Sequence, residues 1–188
     1  MKSKIILFSL TLCVAVVGHV AAQAEEEIGY SLDSYAQNLY PVGSYGDYVA
    51  TGLGAGIQGN LEMPQLLGFI PFVGVDYSYG VPAASHIDRI QDIGFTAGAG
   101  YELPLSPKIT MVPELGYGLL LHVAQGELDG EPDSTSLYSD QVLRASLKGL
   151  YAIGDRLELY AAPTYMLFLE SEAVGMQVGG QVGVRFEL

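Results

Sequence analysis

The sequence predicts an all-β chain that folds as an eight-stranded antiparallel up-and-down β-barrel and crosses a membrane with its strands. Three observations favour this fold class. Apolar residues alternate with small or polar residues in segment after segment, the second face of these segments is rich in glycine, and short and long connections alternate between them. Because successive side chains of a strand point to opposite faces, each segment has one apolar face and one glycine-rich face.

Composition excludes two other classes of protein. The chain has 188 residues, with 8 Lys+Arg against 21 Asp+Glu, so it lacks the basic clusters that bind a nucleic acid backbone. With 49% apolar and 15% charged residues, it does not have the composition of a disordered chain. The length fits one domain.

Residues 1–24 are expected to be a cleaved signal peptide, and residues 25–188 the barrel domain. Lys2 and Lys4 precede an apolar stretch that contains Cys13, and Ala22 to Ala24 forms a small-x-small cleavage site before three glutamates. Removing residues 1–24 takes away Lys2 and Lys4 but no acid, so the net charge of −13 becomes −15.

Seven predicted strands show the alternation directly, beginning near residues 49, 69, 93, 109, 143, 157 and 174. The glycine-rich face would make a poor solvated surface but suits the lining of a narrow barrel, so the apolar face is assigned to lipid. An even-numbered barrel needs an eighth strand, which we place in residues 28–40. Asp33 and Asn38 interrupt the apolar face of that segment.

The connections are typical of short periplasmic turns and long external loops. Residues 63–68, 104–108 and 153–156 form the short class, and residues 81–92 and 124–139 the long class. Pro71, Pro113 and Pro163 fall on the predicted lipid face, where a proline removes a donor from the ladder. We therefore predict a local bulge at Pro163, which lies deepest in its strand.

The repeated unit of short turn, proline, Gly/Tyr-rich strand and long loop resembles the small outer-membrane β-barrel domain family, which includes OmpX-, OmpW- and OmpA-like barrels. The resemblance covers about residues 25–188. The last strand looks like the assembly signal of that family, with Val182, Val184, Phe186 and Leu188 on one face. The family usually ends in Phe, whereas this chain ends in Leu188. The resemblance implies a bacterial outer-membrane location, with outer-membrane lipid and the barrel-assembly machinery as partners.

Charged residues on the inward face are the first candidate site. The predicted network consists of Asp76, Glu102, Glu114, Arg144, Lys148, Glu158 and Arg185. Charges in a narrow barrel are costly unless they are paired or hydrated, so ion pairs are expected. Two interpretations stay open: a polar pathway or gate, and an interior plug that fixes the register.

The acidic residues of the longest loop are the second candidate site. Glu127, Asp129, Glu131 and Asp133 offer oxygen ligands of the kind that Ca²⁺ or Mg²⁺ binds. Their spacing does not match the twelve-residue calcium loop, so a solvated acidic loop is the alternative. No cofactor is expected.

A monomeric, non-enzymatic outer-membrane barrel whose external loops contact the surroundings is the favoured function. Catalysis is not expected, because His122 is predicted to point inward rather than to join a serine and an acid in one outward groove. A narrow channel for small or apolar solutes is one alternative. A soluble periplasmic ligand-binding barrel with its apolar face inside is the other.

Overall fold

The computed structural model describes residues 28–63, 66–128, 131–169 and 174–188. The strands are β1 (Gly29–Val42), β2 (Val49–Glu62), β3 (Phe69–Pro82), β4 (Ile87–Tyr101), β5 (Leu103–Ser106), β6 (Ile109–Leu128), β7 (Glu131–Ala152), β8 (Leu157–Leu169) and β9 (Val174–Glu187). A 3-10 turn, Gly43–Asp47, joins β1 to β2. Over these residues we find no helix with the length and apolar character that crossing a membrane requires.

The sheet closes on itself as an antiparallel barrel. The strand order runs β4-β3-β2-β1-β9-β8-β7-β6-β5, and an additional β4–β6 pairing joins the two edges. Strands β4 and β5 count as one of the eight strands of the barrel, because both pair with β6 in the same register. Gly98 of β4 pairs with Gly116, and Leu103 of β5 pairs with Met111. The predicted eight-stranded up-and-down barrel is confirmed.

The first strand forms in the segment where it was predicted, and it completes the closure. β1 pairs with β2 on one side and with β9 on the other. Asp33 does not interrupt an apolar face, because it lies on the inner face with Ser31 and Tyr35, all of them buried. The chain termini of the described barrel meet at one end, which we call the terminal end; the opposite end, with the 3-10 turn, is the hairpin end.

The prediction of two long loops at the hairpin end is wrong. Strands β3 and β4 extend to Pro82 and from Ile87, and strands β6 and β7 pair out to Leu128 and Glu131. The alternation of apolar residues marks only the part of a strand that has one apolar face. Beyond it the chain continues as a polar hairpin, in which residues such as Thr135 and Ser136 are exposed.

The outer surface of the barrel is apolar, as predicted. Large side chains such as Leu53 (58% exposed), Val73 (64%) and Val182 (63%) point away from the interior. The alternation from residue 49 predicts Val49 on the same face as Leu53, but Val49 is buried inside, because the register shifts between Val49 and Thr51. Charges inside and apolar side chains outside are the reverse of the soluble ligand-binding barrel considered above.

Pro163 interrupts the ladder without the predicted bulge. The backbone N–H of Ile153 donates to the carbonyl of Leu157, so the backbone N–H and C=O groups of odd-numbered β7 residues point toward β8. In this register Leu147 lies opposite Pro163. Proline has no N–H to donate there. Pairing stops after Ser146 and resumes at Gly149 with the same offset, so neither strand gains a residue. The feature is a gap in the ladder rather than a bulge.

The interior near the hairpin end is apolar, which the sequence analysis did not predict. Its buried cluster consists of Leu39, Tyr45, Val49, Ile87, Ile90, Leu120, Ala124, Val142, Met166 and Phe168. Tyr45 reaches this cluster from the 3-10 turn, and its ring packs edge-on against Phe168 with centroids 5.4 Å apart. The turn therefore closes the hairpin end with an aromatic side chain.

Candidate functional site

The centre of the barrel interior is an ion-pair network around Asp33. Lys148 Nζ lies 2.5 Å from Asp33 Oδ2, and Arg185 Nε lies 2.8 Å from Asp33 Oδ1. The Asn60 side-chain amide donates to the same carboxylate over 3.1 Å. The Lys148 and Asp33 side chains are 0% exposed. Buried charges of this kind are tolerated only when each is paired and hydrogen-bonded.

Glu114 extends the network across the barrel. Its Oε1 lies 2.8 Å from Lys148 Nζ and accepts from Gln58 Nε2 over 3.0 Å. Its Oε2 accepts from the Ser146 hydroxyl over 2.9 Å. Lys148 also lies over the Tyr160 ring, 5.2 Å from the centroid. Strands β2, β6, β7 and β8 thus contribute side chains to the surroundings of one lysine.

A second group of contacts surrounds Arg144. Its Nη1 donates to the Tyr35 hydroxyl over 3.2 Å and lies 3.5 Å from Asp76 Oδ2. Asp76 Oδ1 accepts from Gln37 Nε2 over 3.1 Å, and the Gln37 side-chain carbonyl accepts from Gln181 Nε2 over 3.2 Å. These residues come from β1, β3, β7 and β9, so the polar contacts cross the bore.

The structure places most of the predicted network residues in the interior, where Asp33 joins Lys148 to Arg185 and Arg144 pairs with Asp76. Asp76, Glu114, Arg144, Lys148 and Arg185 are all buried in the interior. The other two lie nearer the terminal end. Glu102 Oε1 lies 3.6 Å from Arg185 Nη1, and Glu158 is half-buried opposite Arg185 in the β8–β9 register.

Glu102 lies between β4 and β5 at the terminal end and carries a shifted pKa. Burial raises the pKa of its carboxyl, and the negative charge of Glu62 raises it further, while Arg185 opposes the shift. The folded barrel therefore holds this proton more tightly than the unfolded chain does. The resulting stability is fully present below the ordinary glutamate pKa and is lost as pH rises through the raised value.

Substitution of Glu102 by Gln should make the barrel more stable at neutral pH and flatten its pH dependence. The amide retains a polar contact for Arg185 without the buried negative charge. Urea unfolding of wild type and Glu102→Gln at acidic and neutral pH measures the difference, with the exposed Glu127→Gln as a control. An equal gain from the variant at both pH values would contradict the assigned cause.

A separate polar cluster around His122 lies within the apolar interior near the hairpin end. His122 Nδ1 lies 2.7 Å from Asp92 Oδ1, and His122 Nε2 lies 3.2 Å from Asp140 Oδ2. The Tyr138 ring stacks on the imidazole with centroids 4.8 Å apart. His122 points inward, as predicted. Asp140, which the sequence places beside the acidic loop, is instead part of β7 and buried.

Asp33, Asp92 and Asp140 are interior groups that the sequence pattern did not indicate. One signal was available for Asp33, because Ser31, Asp33, Tyr35 and Gln37 occupy alternate positions and therefore share a face. Asp92 and Asp140 lay in or beside segments that were expected to be loops, where no face can be assigned.

The candidate metal ligands of the longest loop lie mostly outside the side chains that the structure describes. Glu127 is exposed near the tip of β6, and Asp129 lies outside the described residues. The backbone of Glu131 and Asp133 forms part of β7. Within the described ranges, no group of three or more His, Cys, Asp or Glu residues is placed to hold a metal ion.

The proposed assembly signal lies on the outer surface of β9. Val182 is 63% exposed, Phe186 44% and Leu188 78%, while Val184 is half-buried. The N–H of Leu188 donates to the Tyr30 carbonyl, so the last residue is bonded to the first strand. The C-terminal strand therefore forms part of the closing seam.

Comparison with solved structures identifies the fold. Neisserial surface protein A superposes with a TM-score of 0.66 at 20% identity, covering 87% of this chain and all of that one. This chain has the fold of the eight-stranded outer-membrane β-barrels. A major outer membrane protein from Thermus thermophilus is also similar, with a TM-score of 0.57 at 12% identity, covering 87% of this chain and 100% of that one.

A third relative in structure is the outer membrane protein OprG of Pseudomonas aeruginosa. It superposes with a TM-score of 0.57 at 10% identity, covering 88% of this chain and 98% of that one. No family model matches the chain, and no curated protein does. The structural neighbours of this outer-membrane-type barrel are thus bacterial outer-membrane proteins, at identities that establish the fold alone.

Proposed function

We propose that this chain is a non-enzymatic bacterial outer-membrane barrel, with a filled interior, that holds its hairpin end outside the cell for contact with the surroundings. The observation that supports this most is the ion-pair network across the bore. Lys148 and Asp33 are 0% exposed, so no water-sized space adjoins their side chains. An eight-stranded barrel is narrow enough for side chains to fill it.

The outer surface supports the membrane location. Apolar side chains cover the wall, and tyrosines lie toward both ends, with Tyr77 and Tyr79 nearer the hairpin end and Tyr101 and Tyr151 nearer the terminal end. Aromatic girdles at the two interfaces are typical of outer-membrane barrels. Outer-membrane lipid is accordingly the proposed partner of this surface, and the barrel-assembly machinery the proposed reader of β9.

The hairpin end is the proposed contact surface for an extracellular ligand. The hairpin of β6 and β7 is exposed over residues 135–139 and has acidic residues near its tip, including exposed Glu127. A strongly acidic protein attracts basic partners and repels acidic ones. A basic ligand therefore fits this end best, and the ligand itself is to be identified by binding.

Epitope tags inserted at the two ends test the orientation. A tag at Ser85, in the exposed turn between β3 and β4, should bind antibody on intact cells. A tag at Asp155, in the exposed turn between β7 and β8, should bind only after the outer membrane is permeabilised. The opposite pattern, or no dependence on permeabilisation, would rule out the proposed display.

Conductance in planar lipid bilayers separates the filled barrel from the narrow channel. The wild-type barrel should give no stepwise current, because charged groups paired across the bore leave no open path. Stable single-channel steps whose size changes when Arg144 is replaced by Gln would favour the channel instead.

A further inference from the structure

The outer half of β7 is joined to the barrel through its pairing with β6. The β7–β8 pairing starts at Gln141, opposite Leu169, so the described pairing of residues 131–140 is with β6 alone. Residues 135–139 are exposed. Asp140 is the first buried residue on the way from these exposed residues into the barrel, at 9% exposed. Its side chain points to His122, as does the ring of Tyr138.

Both ring nitrogens of His122 lie beside a carboxylate oxygen, but a neutral imidazole carries only one N–H. Nδ1 lies 2.7 Å from Asp92 Oδ1, and because an ionised carboxylate can only accept, Nδ1 carries the hydrogen when Asp92 is ionised. In a neutral ring the other nitrogen, Nε2, then presents a lone pair to Asp140 Oδ2 at 3.2 Å. Both of these atoms are buried and lack a hydrogen-bond partner.

A single proton shared between Nε2 and Oδ2 turns this repulsive contact into a hydrogen bond. Without it, two buried acceptors face each other, and leaving them unsatisfied destabilises the arrangement. A metal ion does not offer the same solution to both acids, because Asp92 and Asp140 face opposite nitrogens of one ring.

We propose that His122 and Asp140 share a proton that fastens the base of the external β6–β7 hairpin to the barrel mouth, so that rising pH releases the hairpin. The titratable groups that face the imidazole are Asp92 on β4, Asp140 and Tyr138 on β7, and Tyr45 on the 3-10 turn. Phe168 on β8 contacts its edge.

When the shared proton is lost, we expect Asp140 to move and Asp92 to keep its position. Asp92 pairs with His122 in the β4–β6 register, within a ladder that continues on both sides, and the Ser78 hydroxyl lies 3.4 Å from its second oxygen. Asp140 pairs with Leu120 of β6, and the strand beyond it leads to residues 135–139, which are exposed and whose described pairing is with β6 alone. Loss of the shared proton therefore moves Asp140 and the strand beyond it rather than Asp92. The use of this movement in ligand display rests on the proposed function; the proton latch does not.

Spin-label mobility at two positions of β7 tests the latch in the bilayer-inserted barrel. Cys13, the only cysteine, is replaced by Ser, and single cysteines are placed at Leu137 or Leu143 for labelling. Leu137 lies in the half paired to β6 alone, and Leu143 is paired on both sides. Spectra are recorded from about pH 5 to about pH 9, the range in which histidine charge ordinarily changes.

The label at 137 should become more mobile as pH rises, and the label at 143 should not. Asp140→Asn donates an N–H to Nε2 at every pH, so this variant should keep the label at 137 immobile throughout. His122→Phe removes both contacts and should leave it mobile throughout. A wild-type label at 137 that does not respond to pH, or an Asp140→Asn variant that responds like wild type, would overturn the latch. Because mobility is measured without reference to surface exposure, a failed tag experiment and a failed latch are distinguishable.

Discussion

Replacement of Lys148 by Ala is expected to lower the free energy of unfolding of the barrel by about 3–5 kcal/mol, the cost of removing one partner from a buried ion pair. Lys148 is fully buried, and its ammonium group lies between Asp33 and Glu114. Truncation leaves the negative charge of Glu114 with hydrogen-bond donors but no cation. Equilibrium unfolding in urea, followed by the mobility of unboiled protein on a gel, measures the loss.

Two further variants separate the ion pair from simple packing. Lys108→Ala removes a lysine from an exposed turn and should leave stability unchanged within error. The double variant Lys148→Met with Glu114→Gln removes both charges while keeping side-chain volume, so it should recover much of the loss. If the double variant is as unstable as the sum of its single substitutions, charge pairing is not what Lys148 contributes.

An arginine placed on the outer wall at Val182 should destabilise the barrel by about 2–4 kcal/mol in a bilayer, because a charge then faces hydrocarbon near mid-depth. Val182 is 63% exposed and lies in the middle of β9. Leu105 is a matched control, since it is 65% exposed but lies in the short strand β5 at the terminal end. Its replacement by Arg should cost about 0–1 kcal/mol near the interface.

Val182 and Leu105 are similarly exposed but lie at different depths in the proposed membrane. The difference between the two substitutions therefore shows whether lipid or water surrounds the outer wall of the barrel. In water both substitutions would exchange an exposed apolar group for a charged one, with similar small effects. Refolding into lipid vesicles at a series of urea concentrations gives both values. Equal costs at Val182 and Leu105 would contradict a membrane-spanning wall.

The two faces of each strand were predictable, because the alternation of apolar and polar residues within a single strand is enough to assign them. Val73 and Tyr77 point outward and Asp76 points inward, as the period of two requires. The partners inside the bore were not predictable, since Lys148 meets Asp33 only after β1, β7 and β9 adopt their final register. Such a contact between residues 115 positions apart depends on closure of the whole barrel.

The interior near the hairpin end shows a second limit of sequence patterns. Leu120, Val142 and Phe168 share faces with polar or glycine residues, and only the closed barrel reveals that they pack together. Pro163 shows a third. The sequence shows that Pro163 has no N–H to donate. It does not show whether the proline nitrogen points to β7 or to β9, and only the structure places the gap in the ladder opposite Leu147 of β7.

The most direct test of the central claim is the surroundings of a spin label at Val182 in the bilayer-inserted barrel. An apolar wall in lipid predicts that the label collides readily with oxygen and is shielded from a water-soluble nickel complex, while a label at Leu105 is accessible to both. Access of the nickel complex to a label at Val182 equal to that at Leu105 would contradict the membrane-spanning barrel.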